Sequence, residues 1–505
     1  ASERERVWAA SEAAALYLDA GRHVEALALA RRTLPRAGRL GDALAEYRTG
    51  RTLAFALDAA GERPAARDVL RRVARQGEHL RRDRLIASSA APSRGSDDDP
   101  TGRGIADEAQ QTSGRLLSML LDEIEAEGAR GDAEQSRLRE VRDLLESQRS
   151  AELEDHFGDA CLARQATTAP DDVAGALVLY PILLEDRVAL LTGFEGRFTY
   201  HRAPATTDAV LDHARAFRRL LEKRSTRQYL RPAQHLYDAM IRPIEAQLEA
   251  PEVETLVVVP DGLLRTIPFA ALHDRKRQRY LVDVKPTALV PSLRLTQPSP
   301  LARESLTVLA AGLETATAGF ARLDYTRQEI ADLRARFPGT RVLWDDAFDP
   351  DALAEEIRTR PYSVVHVATH GRVAADGRES FLLTRDGRLG LDEVTSMIQT
   401  TRFRRDRPLE LLTLSACETA AGDETAALGL AGVALRAGAR SALATLWPVN
   451  DEATARLIDA FYEELTRPDQ TRAGALRVAQ RRIRASPRFS HPGYWAPFLM
   501  ISSWL

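Results

Sequence analysis

Over residues 1–85 apolar residues recur every three or four positions among strong helix formers, with few β-branched residues between them. Two stretches match: Tyr17–Gly21 leads through Glu25-Ala26-Leu27 to Arg31-Arg32-Thr33-Leu34, and Ala56–Gly61 leads through Ala65-Ala66 to Leu70-Arg71-Arg72-Val73. The turn glycines Gly21 and Gly61 are 40 positions apart, which predicts repeated helix pairs. Residues 86–113 read as a flexible linker, with Ser88-Ser89, Pro92-Ser93-Arg94-Gly95-Ser96 and Asp97-Asp98-Asp99-Pro100. A helical connector follows over 114–164, with a stripe at Leu116, Leu117, Met119, Leu120, Leu121 and Ile124.

From about residue 173 the pattern changes. Ala176–Tyr180, Val188–Leu191 and Arg197–Tyr200 predict a strand meander, residues 206–248 predict amphipathic helices, and Thr255–Pro260 predicts a buried strand. Apolar strands are then expected near 306–311, 341–344, 363–369, 409–415, 441–446 and 496–502. Helices are expected near 326–336, 350–358, 424–437, 451–465 and 472–485. This alternation implies a mostly parallel sheet with helices on both faces, an α/β three-layer fold behind an all-α region.

The length of 505 residues implies several domains. A formal net charge of −3 without a basic block argues against electrostatic nucleic-acid binding. No apolar run reaches the roughly 20 residues of a membrane span. No basic start with an apolar stretch announces a signal peptide, an inference weakened by the opening at Ala1 without Met. Two cysteines, Cys161 and Cys417, make neither a disulfide framework nor a multi-cysteine zinc site, so the expected setting is a reducing cytoplasm.

Reactive groups in such a sheet collect at the carboxyl ends of central strands. Val364–Thr369 runs into His370-Gly371, and Leu411–Ala416 runs into Cys417-Glu418-Thr419. On neighbouring strands the imidazole of His370 raises the thiolate fraction of Cys417 and returns the proton to a leaving amine. The N–H groups of Gly371 and Cys417 are the expected oxyanion donors. The alternative for Cys417 is a buried structural thiol. His366, four residues before His370, invites a zinc reading but lacks a following Glu or a third ligand. It reads as a core histidine. Cys161 reads as a bystander. Neither a metal nor an organic cofactor is expected.

His-Val-Ala-Thr-His370-Gly371 and Leu-Ser-Ala-Cys417-Glu-Thr resemble the paired motifs of the CHAT domain, a caspase-like cysteine peptidase domain often attached to tetratricopeptide (TPR) repeats. Val259–Leu264, Ile267–Leu272, Tyr280–Val282, Gly429–Ala431, Ala437–Ser441, Thr445–Asp451, His491-Pro492 and Tyr494–Phe498 resemble that family in its order. The likeness covers roughly 165–505, and the helix pairs of 1–85 resemble TPR repeats. It implies a caspase-like fold with a His370/Cys417 dyad, a pseudo-catalytic subdomain over 165–300 and a catalytic subdomain over 301–505. The segment Leu446–Asp451 resembles a stretch that lines the pocket for a basic side chain in separases. By that resemblance Trp447 is a pocket wall and Asp451 reads Arg or Lys. Asp451 with Glu452 also reads as the N-cap and first turn of the following helix. Glu418 reads as part of an acidic rim or as a helix N-terminal acid.

The resulting expectation is a cytoplasmic cysteine endopeptidase acting on a protein substrate. A regulatory or activating protein would bind the TPR-like region, and the family implies an effector of bacterial signalling or defence. The alternative is a non-catalytic CHAT/TPR platform for protein–protein interaction.

Overall fold

The computed structural model describes residues 2–90, 100–127, 131–157, 173–316, 319–374, 380–402, 409–415, 417–419, 432 and 435–505. The chain forms two compact units, Ala1–Cys161 and Leu162–Leu505. No helix among the described residues is long and apolar enough to cross a membrane.

The first unit is helical: α1 (Glu3–Asp19), α2 (His23–Leu40), α3 (Ala43–Ala59), α4 (Arg63–Ala90), α5 (Pro100–Glu127) and α6 (Asp132–Phe157). Each helix packs on the next, and α1 also packs on α3. Gly21 and Gly61 take the left-handed conformation, with φ of 72° and 80°, that closes the α1–α2 and α3–α4 turns. The facing of α3 and α4 is close: a Cβ on Gly77 would stand 2.7 Å from the Tyr47 ring. Arginines on α4 then bind acids of the next two helices, Arg67 to Glu123 and Arg71 to Glu140, each at 2.6 Å.

The linker expected over 86–113 is largely helix. α4 runs to Ala90 and α5 begins at Pro100. Its cause is a stripe the polar composition hides: Ile105, Ala109, Thr112 and Leu116 are all buried at helical spacing. Residues 91–99 lie outside the described residues, as do Cys161 and the expected boundary at 165.

The second unit is built on one sheet of eleven strands. The first half of this unit contributes β1 (Ala176–Leu183), β2 (Val188–Phe194), β3 (Arg197–Arg202), β4 (Thr255–Val258), a short hairpin of β5 (His273–Asp274) and β6 (Arg279–Tyr280), and β7 (Thr287–Leu289). Two helices, α7 (Thr207–Glu222) and α8 (Leu230–Met240), follow the meander. The remaining strands are β8 (Val308–Gly312), β9 (Arg341–Trp344), β10 (Val364–Ala368), β11 (Gly371–Val373), β12 (Phe381–Thr384), β13 (Gly387–Gly390), β14 (Leu409–Leu414), β15 (Cys417–Thr419), β16 (Ala439–Thr445) and β17 (Phe498–Ser502).

The order is β3-β2-β1-β4-β7-β17-β16-β14-β10-β8-β9. Pairing is parallel except within the β1–β3 meander and between β16 and β17. The two expected subdomains therefore share a sheet, joined where Ile501 of β17 pairs with Leu289 of β7. Every residue of β8, β10 and β14 is buried, so helices must cover both faces. This is the α/β architecture expected behind a helical region. A second sheet, β13-β12-β11-β15, stands at the carboxyl ends of β10 and β14. The expected helix 424–437 falls mostly outside the described residues, as does Gly429–Ala431.

Candidate active site

The chain leaves β8 outward to β9 and returns to β10 on the other side of β8. This reversal opens a crevice at the carboxyl ends of β8 and β10, the place where open α/β sheets bind ligands. β10 and β14 are parallel neighbours, with Val367 opposite Leu414. Beyond the large sheet both chains pair again: β11 and β15 are parallel, with Gly371 opposite Cys417 and Arg372 opposite Glu418. His370 and Cys417 thus leave adjacent strands at the same edge. The Leu383 N–H donates to the His370 carbonyl from β12. Backbone groups alternate sides along a strand, so the Gly371 N–H points toward β15.

His370 is half-buried. Its Nε2 lies 2.8 Å from the Ala321 carbonyl oxygen. A carbonyl only accepts, so Nε2 carries a hydrogen, and Nδ1 is the nitrogen that can take a proton. The Phe320 ring lies against the imidazole, centroids 5.1 Å apart. Ala321 and Phe320 belong to the loop after β8, which acids tie down. The Leu323 N–H donates to the Glu314 carbonyl at 3.1 Å. Glu314 pairs with Arg322 and with Arg327 at 2.7 Å. Asp345 Oδ1 accepts from the Glu314 N–H at 2.8 Å, and Asp451 Oδ2 accepts from the Tyr325 N–H at 2.7 Å. A backbone carbonyl has no signature in sequence, so Ala321 escapes motif reading.

Asp451 therefore stands beside the histidine. Burial, then the charges of Glu329 and Asp324, push its carboxyl above the usual range; the Tyr325 N–H and His370 oppose the shift. The cap of the following helix, Asp451–Leu465, is Asn450, whose Oδ1 accepts from the Ala453 N–H at 3.1 Å. Asp451 is in its first turn, not its cap.

Trp447, expected as a pocket wall, is instead buried at 1% exposure. Its indole N–H donates to the Gly493 carbonyl at 3.3 Å, and the Arg218 guanidinium lies 4.2 Å from its ring centroid. Its size and apolar ring make it a packing group between the first and second halves of the sheet. Of Cys417 and Glu418 the backbone is described.

Beneath the edge lies a polar chain. His366 pairs in register with Thr413 and is fully buried. Its Nε2 is 2.8 Å from Glu329 Oε1, and its Nδ1 is 3.3 Å from the Tyr462 hydroxyl, which is 2.9 Å from Thr413 Oγ1. His366 is a core histidine, and among the described residues no cluster of three His, Cys, Asp or Glu is placed to hold a metal.

The family model of the CHAT domain matches residues 230–503, more than half of the chain. The chain belongs to the CHAT domain family. Tetratricopeptide repeat protein 28 of mouse and of human is 26% identical to it over 326 and 325 residues, 54% of this chain. The chain spans 13% of the length of those relatives. Among solved structures, the Saccharomyces cerevisiae separase–securin complex superposes with a TM-score of 0.48 at 9% identity, over 98% of this chain and 47% of that one. The Arg-specific cysteine proteinase gingipain R superposes with a TM-score of 0.34 at 12% identity, over 52% of this chain and 68% of that one. The CHAT match runs from α8 to the end of β17; it takes in β4 and β7 of the first half of the sheet and leaves the β1–β3 meander outside.

Proposed function

We propose that the chain is a cysteine endopeptidase with Cys417 as nucleophile and His370 as general base and acid. The observation that carries this reading is the register of Gly371 with Cys417 at the sheet's reversal point, with His370 immediately before the paired glycine. Family membership supports the same chemistry.

In this mechanism His370 Nδ1 takes the Cys417 proton, and the thiolate attacks the scissile carbonyl. The oxyanion that forms accepts from the Cys417 N–H group; the Gly371 N–H, turned toward β15, is engaged in the strand pairing instead. Collapse breaks the C–N bond, the leaving amine takes the proton from His370, and a thioester remains. Water then gives a proton to His370 and attacks the thioester, releasing the acid and restoring the thiol. The Ala321 carbonyl steadies the imidazolium, because it accepts from Nε2 in either protonation state. Asp451, a carboxylate held among other acids beside His370, favours a substrate with Arg or Lys before the scissile bond. A partner protein on the helical unit gates the enzyme, since an ungated endopeptidase damages its host.

The test is cleavage of a peptide library by the full chain, with Cys417→Ala and His370→Ala beside it. Each substitution removes cleavage, with a loss of at least about a thousandfold. Cleavage retained in Cys417→Ala refutes the mechanism, whereas no cleavage by the native chain leaves the interaction platform as the reading.

A further inference from the structure

The half of the sheet formed by β1–β4 and β7 carries neither His370 nor Cys417, yet the helix and turn beside it grip the segment that leads to Asp451. α7 and the turn after it present two arginines to the chain that leaves β16, Arg218 from the helix and Arg224 from just past its end. Arg218 is buried, and its Nη2 donates to the Leu446 carbonyl at 2.7 Å while its guanidinium stacks on Trp447. Among the described residues its Nε and Nη1 have no hydrogen-bond partner, and its acid neighbour Glu222 is 3.4 Å away and exposed. Burial pulls the guanidinium down to about 10. A long apolar side chain would fill this place without that penalty, so the bond to Leu446 is what the arginine adds.

Two residues further along, the Pro448 carbonyl accepts from Arg224 Nη2 at 2.6 Å, and Arg224 lies over the Tyr494 ring at 4.9 Å. The seat is completed by His491, whose Nε2 is 2.9 Å from the Thr226 carbonyl and whose Nδ1 accepts from the Gly493 N–H at 3.0 Å. Approach here is so close that a Cβ on Gly493 would collide with the Leu221 carbonyl. Three residues after Pro448, Asp451 accepts from the Tyr325 N–H, at the end of the loop whose Ala321 carbonyl holds His370. A continuous set of bonds therefore runs from α7 to the histidine.

We infer that Arg218 and Arg224 are positioning residues that set the stance of Leu446–Asp451, so that the half without the His–Cys pair shapes the substrate-reading side of the site in the other half. The kinetic consequence rests on the peptidase reading above; the conformational one does not.

The experiment uses the full chain with Arg218→Met, Arg224→Met and Arg224→Lys. Arg224 is only half-buried, so its variants fold even where Arg218→Met does not. Hydrogen exchange at residues 446–451 is expected to quicken at least tenfold in each Met variant, with residues 409–414 of β14 unchanged. With a fluorogenic peptide ending in Arg, KM is expected to rise about tenfold in Arg224→Met, with kcat within threefold. Arg224→Lys restores both, because an ammonium still donates to one carbonyl. Unchanged exchange at 446–451, an equal rise at 409–414, or a fall in kcat at unchanged KM would each overturn the inference. If the native chain shows no Cys417-dependent cleavage, the peptidase reading fails and the exchange result alone decides this one.

Discussion

Tyr462 offers the sharpest test of how the two strands that lead into His370 and Cys417 are held. Its hydroxyl is fully buried and joins Thr413 of β14, at 2.9 Å, to His366 of β10, at 3.3 Å. Burial, with the charge of Glu329, holds its phenol above the usual range, so it stays a neutral hydroxyl at any pH of interest. Tyr462→Phe keeps the ring and removes one oxygen. The Thr413 hydroxyl and the His366 Nδ1 then lose a partner in a site with no access to water, at a cost of about 1–3 kcal/mol for each unpaired group. Taking the low end for the longer bond to His366, the expected loss is about 3 kcal/mol. Urea unfolding followed by tryptophan fluorescence measures it. Trp344, Trp447, Trp495 and Trp504 belong to Leu162–Leu505, and only Trp8 lies in the helical unit. Adding Thr413→Val removes one of the two orphaned groups with little change of shape. The double variant is expected to regain about 1 kcal/mol over Tyr462→Phe. A loss below about 0.5 kcal/mol in the single variant, or simple additivity in the double one, would refute the bridging role.

Two further outcomes follow from the same region. Asp451→Asn is expected to lower kcat/KM for peptides with Arg or Lys before the scissile bond by about tenfold or more, with neutral residues there little affected; equal loss for all would assign Asp451 to holding the Tyr325 loop. Burial, together with Arg224 and Arg227, holds the His491 imidazole below its ordinary 6.5, against the bond to Thr226. A depressed value means that its stabilisation is complete above pH 6.5 and is lost as pH falls through the lower folded value. The stability advantage of the native chain over His491→Gln, read from urea midpoints, should therefore shrink from pH 7 to pH 5, and a growing advantage would contradict it.

Periodicity made most of the sheet legible. Buried strands such as Leu409–Leu414 and Val364–Ala368 are continuous apolar runs bounded by turns, and their places matched the expected ones closely. Several other short strands were not legible, although Thr255–Val258 and Arg341–Trp344 were expected. Thr287–Leu289 pairs over three residues, and β11–β13 and β15 have too few residues to show a period. The order of strands also lay beyond pattern, so whether His370 and Cys417 shared an edge depended on the β10–β14 pairing. Polar composition misled over 100–113, where burial of Ile105 and Ala109 outweighs the surrounding glycines and acids. Trp447 misled in the opposite sense: its motif suggested an open pocket, whereas Arg218, 229 positions earlier, covers it. Contacts at such separation leave no local trace. The same is true of Glu329 against His366 and of Ala321 against His370.

The most direct measurement of the central claim is the rate at which an arginyl chloromethyl ketone alkylates the full chain, with the modified residue located by peptide mass. The account predicts one adduct, on Cys417, formed at least about a hundredfold more slowly in His370→Ala. An adduct on Cys161 instead, or labelling of Cys417 at the same rate in His370→Ala, would show that the two residues do not act as a pair.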